Sequence, residues 1–232
     1  MEVCLPEWLL EKWISDFGLE RANKVAMASL EPARNYVRNG RIQDIGAQSI
    51  VPLLELEPGQ TFLDLSAAPG NKTAQALETP VDAVACDLKL ERLKELKALP
   101  CRLVVLDGER PLPFRRRFER ILVDAPCSGT GTLRRNPEIR WRVTPSDLAM
   151  HHGRQVRMLT NALACLVPGG RLVYSTCSLE VEENEKVIEA VAQRSESREF
   201  TVVKTMRRFP GEEEGDGFFA AVITLPLGFR SS

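Results

Sequence analysis

The sequence predicts an α/β protein whose core is a mostly parallel, doubly wound sheet. From about residue 60 onward, short apolar segments alternate with segments of helical periodicity. Such alternation is typical of repeated β-α-β units, in which helices cover both faces of a parallel sheet. A second observation is that four of the predicted strands end, or nearly end, in aspartate. Because ligands of open α/β sheets bind beyond the carboxyl ends of strands, this pattern indicates a ligand site at that edge.

The elements follow in a regular order along the chain. Five strands are predicted at 61–65, 81–87, 102–107, 120–124 and 171–175, and two later strands at 200–204 and 218–225. Helices are predicted over 5–35, 72–77, 89–99, 145–166 and 182–193. Pro145 is expected to open the fourth of these helices, and Pro168-Gly169-Gly170 is expected to close it.

Length and composition exclude several classes of protein. The chain has 232 residues, a formal net charge of -1 and 44% hydrophobic residues, which suits a globular protein with its own core. No apolar run approaches the ~18 residues of a membrane span. The first residues lack the basic and apolar pattern of a secretory signal. We therefore expect a cytoplasmic monomer that does not associate with membranes.

The cysteines do not form a metal-binding pattern. None of the six stands in a CxxC pair, so we expect neither a structural zinc site nor any other metal. A chain of this length does not need disulfides for stability. Each thiol is therefore expected to be either packed in the core or used in chemistry. The six are Cys4, Cys86, Cys101, Cys127, Cys165 and Cys177.

The near-neutral net charge conceals an uneven distribution. Residues 115–157 contain ten arginines and four acidic residues, whereas residues 178–216 contain eleven acidic and six basic residues. The first segment can present a phosphate-binding face. The charge pattern alone leaves open the alternative that these arginines are ordinary solvated side chains.

The turn after the first strand of the sheet discriminates among nucleotide cofactors. It reads Ser66-Ala67-Ala68-Pro69-Gly70-Asn71-Lys72-Thr73 and lacks both glycines of a phosphate-binding P-loop. It also has only one of the three glycines of a dinucleotide fingerprint. Small residues still let a ligand approach the backbone at a helix N-terminus. With Asp87, an acid able to accept both ribose hydroxyls, the turn favours S-adenosylmethionine and leaves an NAD-type ligand open.

Four sequence blocks narrow the function. They are Asp64-Leu-Ser-Ala-Ala-Pro-Gly-Asn-Lys-Thr73, Asp124-Ala-Pro-Cys-Ser-Gly-Thr-Gly-Thr-Leu-Arg-Arg-Asn-Pro-Glu-Ile-Arg-Trp141, Tyr174-Ser-Thr-Cys-Ser-Leu179 with Glu182-Glu-Asn-Glu185, and Asp216-Gly-Phe-Phe-Ala-Ala221. Over about residues 41–225, this ordered set resembles the RNA (cytosine-5-)methyltransferases of the Sun/Fmu and nucleolar Nop type. The resemblance implies a Rossmann-like, S-adenosylmethionine-dependent methyltransferase fold with a seven-stranded sheet over 41–232. A helical N-terminal segment, 1–40, precedes it.

The chain departs from the family pattern at two places. In the first block, Ser66 and Asn71 replace a cysteine and a glycine. Serine is nearly isosteric with cysteine and asparagine tolerates unusual backbone angles, so we expect cofactor binding to persist. The second departure is that Asn39-Gly40 leads directly into Arg41. The family normally continues there through a small α/β RNA-binding module, so we expect weak autonomous affinity for RNA.

The resemblance also implies roles for individual residues. Cys177 is the nucleophile, and Cys127 assists release of the methylated RNA; the other four cysteines are expected to be inert. Asp124 lies between cofactor and base, where it can orient the cytosine, and Lys72 lies near the target base. Cofactor binding is implied for the first turn and for acids at the strand ends, namely Ser66, Ala67, Ala68, Pro69, Gly70, Asn71, Lys72, Asp87, Asp107 and Asp124.

The resemblance also implies an RNA path at the end of the second block. Its members combine positive charge for phosphates with a surface for base stacking, and they are Arg134, Arg135, Arg140, Trp141 and Arg142. For Trp141, packing in the core remains the alternative. His151 and His152 are interpreted as exposed helix residues without a catalytic role.

The predicted activity is transfer of a methyl group from S-adenosylmethionine to C5 of cytosine in RNA, through a covalent cysteine–C6 adduct. Ribosomal RNA is favoured as the substrate, and tRNA is the alternative RNA. Two other functions stay open. One is a DNA cytosine-5 methyltransferase with a Pro-Cys nucleophile, against which the Thr-Cys-Ser block argues. The other is an RNA-binding scaffold that keeps the fold without turnover.

Overall fold

The computed structural model describes residues 5–194 and 199–228, and it begins with two helices where the sequence predicted one. Helix α1 spans Glu7–Phe17 and helix α2 spans Leu19–Ala28. Gly18 separates them with a φ of 84°, a backbone angle that glycine adopts without a Cβ clash. A short hairpin and a one-turn helix follow, with β1 at Val37–Arg38, β2 at Arg41–Ile42 and α3 at Ile45–Gln48.

The remaining strands form one seven-stranded sheet. In chain order they are β3 (Thr61–Asp64), β4 (Asp82–Asp87), β5 (Arg102–Val105), β6 (Phe118–Asp124), β7 (Leu166–Thr176), β8 (Thr201–Arg208) and β9 (Phe218–Thr224). Their order across the sheet is β5-β4-β3-β6-β7-β9-β8. Neighbours are parallel except where β9 is involved, since it runs antiparallel to both β7 and β8. The predicted mostly parallel, seven-stranded sheet is confirmed.

Among the described residues, five α-helices lie between these strands. They are α4 (Asn71–Ala76), α5 (Leu90–Leu93), α6 (Ile139–Arg142), α7 (Pro145–Ala164) and α8 (Glu185–Ala192). The predicted helix over 89–99 is therefore only one α-helical turn, which a 3₁₀ turn at Lys94–Leu96 continues. In the part of the chain that the structure describes, no helix combines the length and the apolar composition needed to cross a bilayer.

Helix α7 begins as predicted but ends earlier. Thr144 caps it, accepting the Asp147 backbone N–H, and Pro145 occupies the first turn, where its missing N–H costs nothing. The prediction that Pro168-Gly169-Gly170 closes this helix is wrong, because α7 ends at Ala164 and these residues lie inside β7. The pairing of β6 with β7 shifts register between Phe118 and Arg120, which accommodates the irregular stretch.

Both faces of the sheet are buried. Along β6, Ile121 and Val123 belong to the cluster on one face and Leu122 to the cluster on the other, as the two-residue period of a strand requires. Leu159 of α7 packs in the first cluster, and Leu54, which follows α3, packs in the second. This burial fixes the sheet, so that the loops at its carboxyl edge are carried by a rigid frame.

The N-terminal helices pack on the loops that follow β6 and β7. Trp13 of α1 is fully buried in a cluster with Leu133 and Leu179. Its indole N–H donates to the Glu180 carboxylate at 2.9 Å. The predicted boundary between 1–40 and 41–232 falls in the turn of the β1–β2 hairpin, and the two parts share this hydrophobic cluster.

Candidate active site

The aspartates predicted to face a ligand lie at one edge of the sheet. Asp64, Asp87 and Asp124 are the last residues of β3, β4 and β6, and Asp107 follows the end of β5. Asp64 is buried and accepts a hydrogen bond from Thr73 Oγ1 at 2.7 Å; burial raises its pKa to about 7. Asp64 thus fastens α4 to the end of β3. Asp64 and Asp124 line one cavity at this edge, and Asp87 and Asp107 line a second.

The turn between β3 and α4 needs glycine at one position. Gly70 has a φ of 103°, and a Cβ at this position would lie 2.7 Å from Cγ of Leu96. The unusual backbone angle therefore belongs to Gly70, whereas Asn71 is the first residue of α4. The expectation that Asn71 is tolerated for its backbone angle is wrong. Its side chain instead donates to the Ile42 carbonyl at 2.9 Å and ties the β1–β2 hairpin to the turn.

Two cavities meet at this turn, and Ser66 lines both of them. The outer cavity, of about 240 Å³, lies over the ends of β4 and β5 and is bordered by Asp87 and Asp107. The central cavity, of about 290 Å³, lies over the ends of β3, β6 and β7. Its lining includes the small residues of the turn and four chemically distinct groups, Lys72, Asp124, Cys177 and Phe218.

The outer cavity fits the adenosine part of S-adenosylmethionine. Asp87 is almost fully buried, and its Oδ1 accepts the Lys89 backbone N–H at 3.0 Å. Its Oδ2 is buried without a hydrogen-bond partner in the described residues, with Arg92 Nη1 3.4 Å away. A ribose diol supplies the donors that such an oxygen lacks. Leu88 and Met158 add apolar wall on which a base can pack.

The two cysteines of the second and third blocks are adjacent. Cys127 lies in the loop after β6, Cys177 directly follows β7, and their Sγ atoms are 3.4 Å apart. Cys177 lines the central cavity. The contact with Cys177, together with burial and the negative charge of Glu183, raises the pKa of Cys127 well above its ordinary value. Cys127 is therefore a neutral thiol at physiological pH, next to the thiol that faces the cavity.

Lys72 and Asp124 form an ion pair at the same cavity. Lys72 Nζ donates to Asp124 Oδ2 at 2.7 Å, and Ser175 Oγ donates to Asp124 Oδ1 at 2.8 Å. Burial lowers the pKa of Lys72, but the Asp124 carboxylate and the Cys177 and Asp64 side chains outweigh it, so the pKa is raised overall. Lys72 is thus a cation on the Cys177 side of the thiol pair.

Sequence reasoning assigned no role to three residues that the structure places beside the cysteines. Ser128 and Ser178 directly follow Cys127 and Cys177, and both donate to the buried Glu183 carboxylate. Glu183 stands in the Glu182-Glu-Asn-Glu185 block, which the resemblance singled out without saying what it contacts. The available signal was the position of a serine directly after each cysteine.

Most residues of the predicted RNA path form hydrogen bonds to other groups of the protein. Arg134 is 11% exposed, and its Nε donates to Asp216 at 3.0 Å. Arg135 donates to the same carboxylate at 2.9 Å and to Asp44 at 3.2 Å. Arg140 is buried and donates to the Ser29 carbonyl at 3.0 Å. These three guanidinium groups therefore hold the loops around the site in place.

The exposed members of the predicted path are Trp141 and Arg142. Trp141 is 68% exposed, so the alternative that it packs in the core is wrong. The histidines of α7 are half-buried rather than exposed, and His152 Nδ1 lies 2.8 Å from the Glu182 carbonyl. Cys86, Cys101 and Cys165 lie in or against the hydrophobic clusters, and Cys4 falls outside the described residues.

Solved structures show the same fold. A methyltransferase homolog protein from Pyrococcus horikoshii superposes with a TM-score of 0.80 at 24% identity, covering 96% of this chain and 96% of that one. NSun6 from Pyrococcus horikoshii, solved with SFG, gives a TM-score of 0.69 at 26% identity, covering 79% of this chain and 52% of that one. These matches confirm the predicted S-adenosylmethionine-dependent methyltransferase fold.

Sequence relatives identify the family. The chain is 40% identical over 195 residues to ribosomal RNA small subunit methyltransferase B of Salmonella arizonae, covering 78% of this chain and 46% of that protein. The protein of the same name from Klebsiella pneumoniae gives 40% identity over 195 residues. The chain thus spans about half the length of these curated relatives. The sequence model described as 16S rRNA methyltransferase RsmB/F matches residues 51–224, and the chain belongs to this family.

Proposed function

We propose that this chain transfers a methyl group to C5 of a cytosine in RNA, with ribosomal RNA as the favoured substrate. The observation that carries the proposal is the pair of thiols with Sγ atoms 3.4 Å apart, of which Cys177 lines the cavity next to the cofactor turn. The names of the sequence relatives, which are ribosomal RNA methyltransferases, support RNA as the substrate class.

Cysteine chemistry is needed because C5 of cytosine is too weak a nucleophile on its own. In the proposed reaction Cys177 Sγ forms a bond to C6, and the electron pair of the C5–C6 double bond makes C5 nucleophilic. S-adenosylmethionine, when bound, supplies the electrophilic methyl group that C5 takes. Water then takes the C5 proton, and the electron pair of the C5–H bond restores the double bond as the bond between Cys177 Sγ and C6 breaks. Cys127, a protonated thiol within contact distance of Cys177, assists this release by donating its proton to the departing Cys177 thiolate.

Asp124 is proposed to bind the cytosine base, and Lys72 is proposed to stabilise the negative charge that develops on it. Asp124 is fixed from both sides by Lys72 and Ser175, so its carboxylate has a defined orientation at the cavity wall. In the proposed complex it accepts a hydrogen bond from the polar edge of the cytosine. The Lys72 cation stabilises negative charge in a largely buried site, where such interactions are stronger than in water.

Outside the cavity, fewer residues are proposed to contact RNA than the sequence suggested. Trp141 and Arg142 present an aromatic surface and a cation at the end of α6. Stacking on an aromatic side chain combined with a phosphate contact is a common mode of binding single-stranded RNA. The arginines paired with Asp216 are proposed to shape this surface rather than to bind phosphate.

Methyl transfer from tritium-labelled S-adenosylmethionine tests the proposal. The chain is incubated with ribosomal RNA, tRNA or duplex DNA, and the product nucleosides are separated. We expect label in 5-methylcytidine from RNA and none from DNA, with Cys177→Ala as the inactive control. Label in DNA alone would favour the DNA methyltransferase alternative. RNA binding without label in any nucleic acid would favour the scaffold.

A further inference from the structure

The loops that carry the two cysteines are joined through one carboxylate. Ser178 Oγ donates to Glu183 Oε2 at 2.5 Å, and the Ser128 backbone N–H donates to Oε1 at 2.8 Å. Ser128 Oγ donates to Oε2 as well, and the two serine hydroxyls lie 3.1 Å apart. Because each serine directly follows a cysteine, this carboxylate links the two cysteine-bearing loops.

Glu183 is itself held firmly. It is fully buried, and its Oε1 also accepts from Gln155 Nε2 at 3.1 Å. The same amide nitrogen lies 2.9 Å from the carbonyl of Pro126, the residue before Cys127. The backbone carbonyl of Glu183 accepts the Tyr174 hydroxyl at 2.5 Å. A buried carboxylate with this many donors is well satisfied and has little freedom to move.

We propose that Glu183 is a positioning residue that sets the distance between the Cys127 and Cys177 thiols. The relevance of this role to catalysis rests on the proposed function, whereas the positioning of the two thiols does not depend on it. Asp124 and Ser175 are the last residues that β6 and β7 pair with each other, and both cysteines lie beyond them. Past this pair, the Gly131 backbone N–H donates to the Cys177 carbonyl at 2.9 Å. The Glu183 carboxylate adds a second link, at the residues that directly follow the two cysteines.

Glu183 also makes the two thiols electrostatically unequal. Its negative charge lies near Cys127, whereas the Lys72 cation lies on the Cys177 side. The Glu183 carboxylate helps to keep the proton on Cys127. A neutral thiol is what a partner of the nucleophile requires.

Oxidation by diamide measures the distance between the thiols without RNA or cofactor. Diamide accepts two electrons and two protons as the two thiols form one S–S bond, and the Cys127–Cys177 peptide pair is quantified by mass spectrometry. We expect Glu183→Ala to slow this cross-link at least about tenfold, since a 1 Å misplacement can reduce the rate of an oriented reaction by about 10²-fold. Glu183→Asp, which keeps the charge one methylene away, should recover part of the rate.

Glu180→Gln is the matched control, because Glu180 is a fully buried glutamate three positions earlier whose carboxylate contacts Trp13 instead. It should cross-link at the wild-type rate. Wild-type rates in Glu183→Ala and Glu183→Asp would overturn the proposal. If circular dichroism shows that Glu183→Ala does not fold, Ser128→Ala and Ser178→Ala replace it. Each should slow the cross-link, and unchanged rates in both would equally overturn it.

In the methylation assay, displaced thiols should lower kcat for Glu183→Asp while KM for RNA stays unchanged. A purely structural defect would lower the fraction of active enzyme without accumulation of an adduct. We expect instead a covalent RNA–protein species in Glu183→Asp, because a displaced Cys127 releases the product slowly. An inactive wild type with normal cross-linking would refute the proposed function and leave the positioning role intact.

Discussion

The carboxyl edge of the sheet has two halves, one beyond β3, β4 and β5 and the other beyond β6 and β7. The polar groups of the two halves have different roles. In the first half, Asp87 keeps a buried oxygen without a hydrogen-bond partner at the wall of a cavity. In the second half, the carboxylates of Glu183 and Asp216 are each surrounded by donors from the chain itself. The Asp87 oxygen can still accept donors from a ligand, whereas the Glu183 and Asp216 carboxylates fix the loops that carry the reacting atoms.

The largest expected effect separates the two cysteines of the second half. Cys177→Ala should abolish methyl transfer and adduct formation, because no thiol is left to add to C6. Cys127→Ala should still add and methylate, but it should stall before release. A denaturing gel should therefore show a slow-migrating RNA–protein band for Cys127→Ala that the double variant lacks. A band in Cys177→Ala and none in Cys127→Ala would reverse the roles, toward a Pro-Cys nucleophile.

The next effect tests whether satisfied charges hold this half together. Asp216→Ala leaves the Arg134 and Arg135 guanidiniums without their shared carboxylate. Removing one partner of a buried ion pair costs about 3–5 kcal/mol, so the free energy of unfolding in urea should fall by that order. Arg142→Ala is the control on the exposed surface and should change stability by less than ~0.5 kcal/mol. Equal stability of the two variants would contradict the structural role of Asp216.

In the first half, the corresponding change should affect binding and leave stability intact. Asp87→Ala should weaken S-adenosylmethionine by about 1.5–3 kcal/mol, the contribution of hydrogen bonds to a charged group. Isothermal titration calorimetry measures the affinity. Asp82→Ala, an exposed aspartate at the opposite end of β4, should bind the cofactor as wild type does. An unchanged affinity in Asp87→Ala would remove this residue from the cofactor site.

The last expected effect is a pH dependence, and it concerns the buried Glu180, which joins α1 to the second half. Burial raises its pKa to about 7 from 4.5, against the hydrogen bond from Trp13. The folded protein therefore holds this proton at higher pH than the unfolded chain does. This group's contribution to stability should fall as pH rises from about 4.5 to about 7, by up to about 1.4 kcal/mol per pH unit. In thermal melts Glu180→Gln should be less sensitive to pH over that range; an identical pH profile would contradict the assignment.

The sheet and the position of the site were predictable because both depend on local pattern. The alternation of strands and helices determines a parallel sheet, and residues such as Asp87 and Cys177 stand at strand ends that must meet at one edge. The tight turn around Gly70 was predicted from its run of small residues, and the structure adds that a Cβ at Gly70 would lie 2.7 Å from Cγ of Leu96. For these residues, the number of positions between the residue and the end of its strand is enough to predict that it lies at this edge of the sheet.

The contacts of the arginine segment, and those of Glu183 with Ser128 and Ser178, were not predictable from local pattern. Arg134 is paired with Asp216, 82 positions away, so a run of positive charge in the sequence does not reveal that it is neutralised. Ser128 and Glu183 are 55 positions apart, and nothing local marks them as partners. Asn71 shows the same limit, because its replacement of glycine is explained by the Ile42 carbonyl across the cavity mouth.

The packing of Trp13 has a consequence for any attempt to dissect this protein. A fragment starting at residue 41 would lose a fully buried indole and uncover Leu133 and Leu179, which border the loops of Cys127 and Cys177. Such a fragment would expose new apolar surface and lose the donor to Glu180. Its inactivity would therefore report damage to the catalytic loops, and could not be interpreted as loss of an RNA-binding appendage.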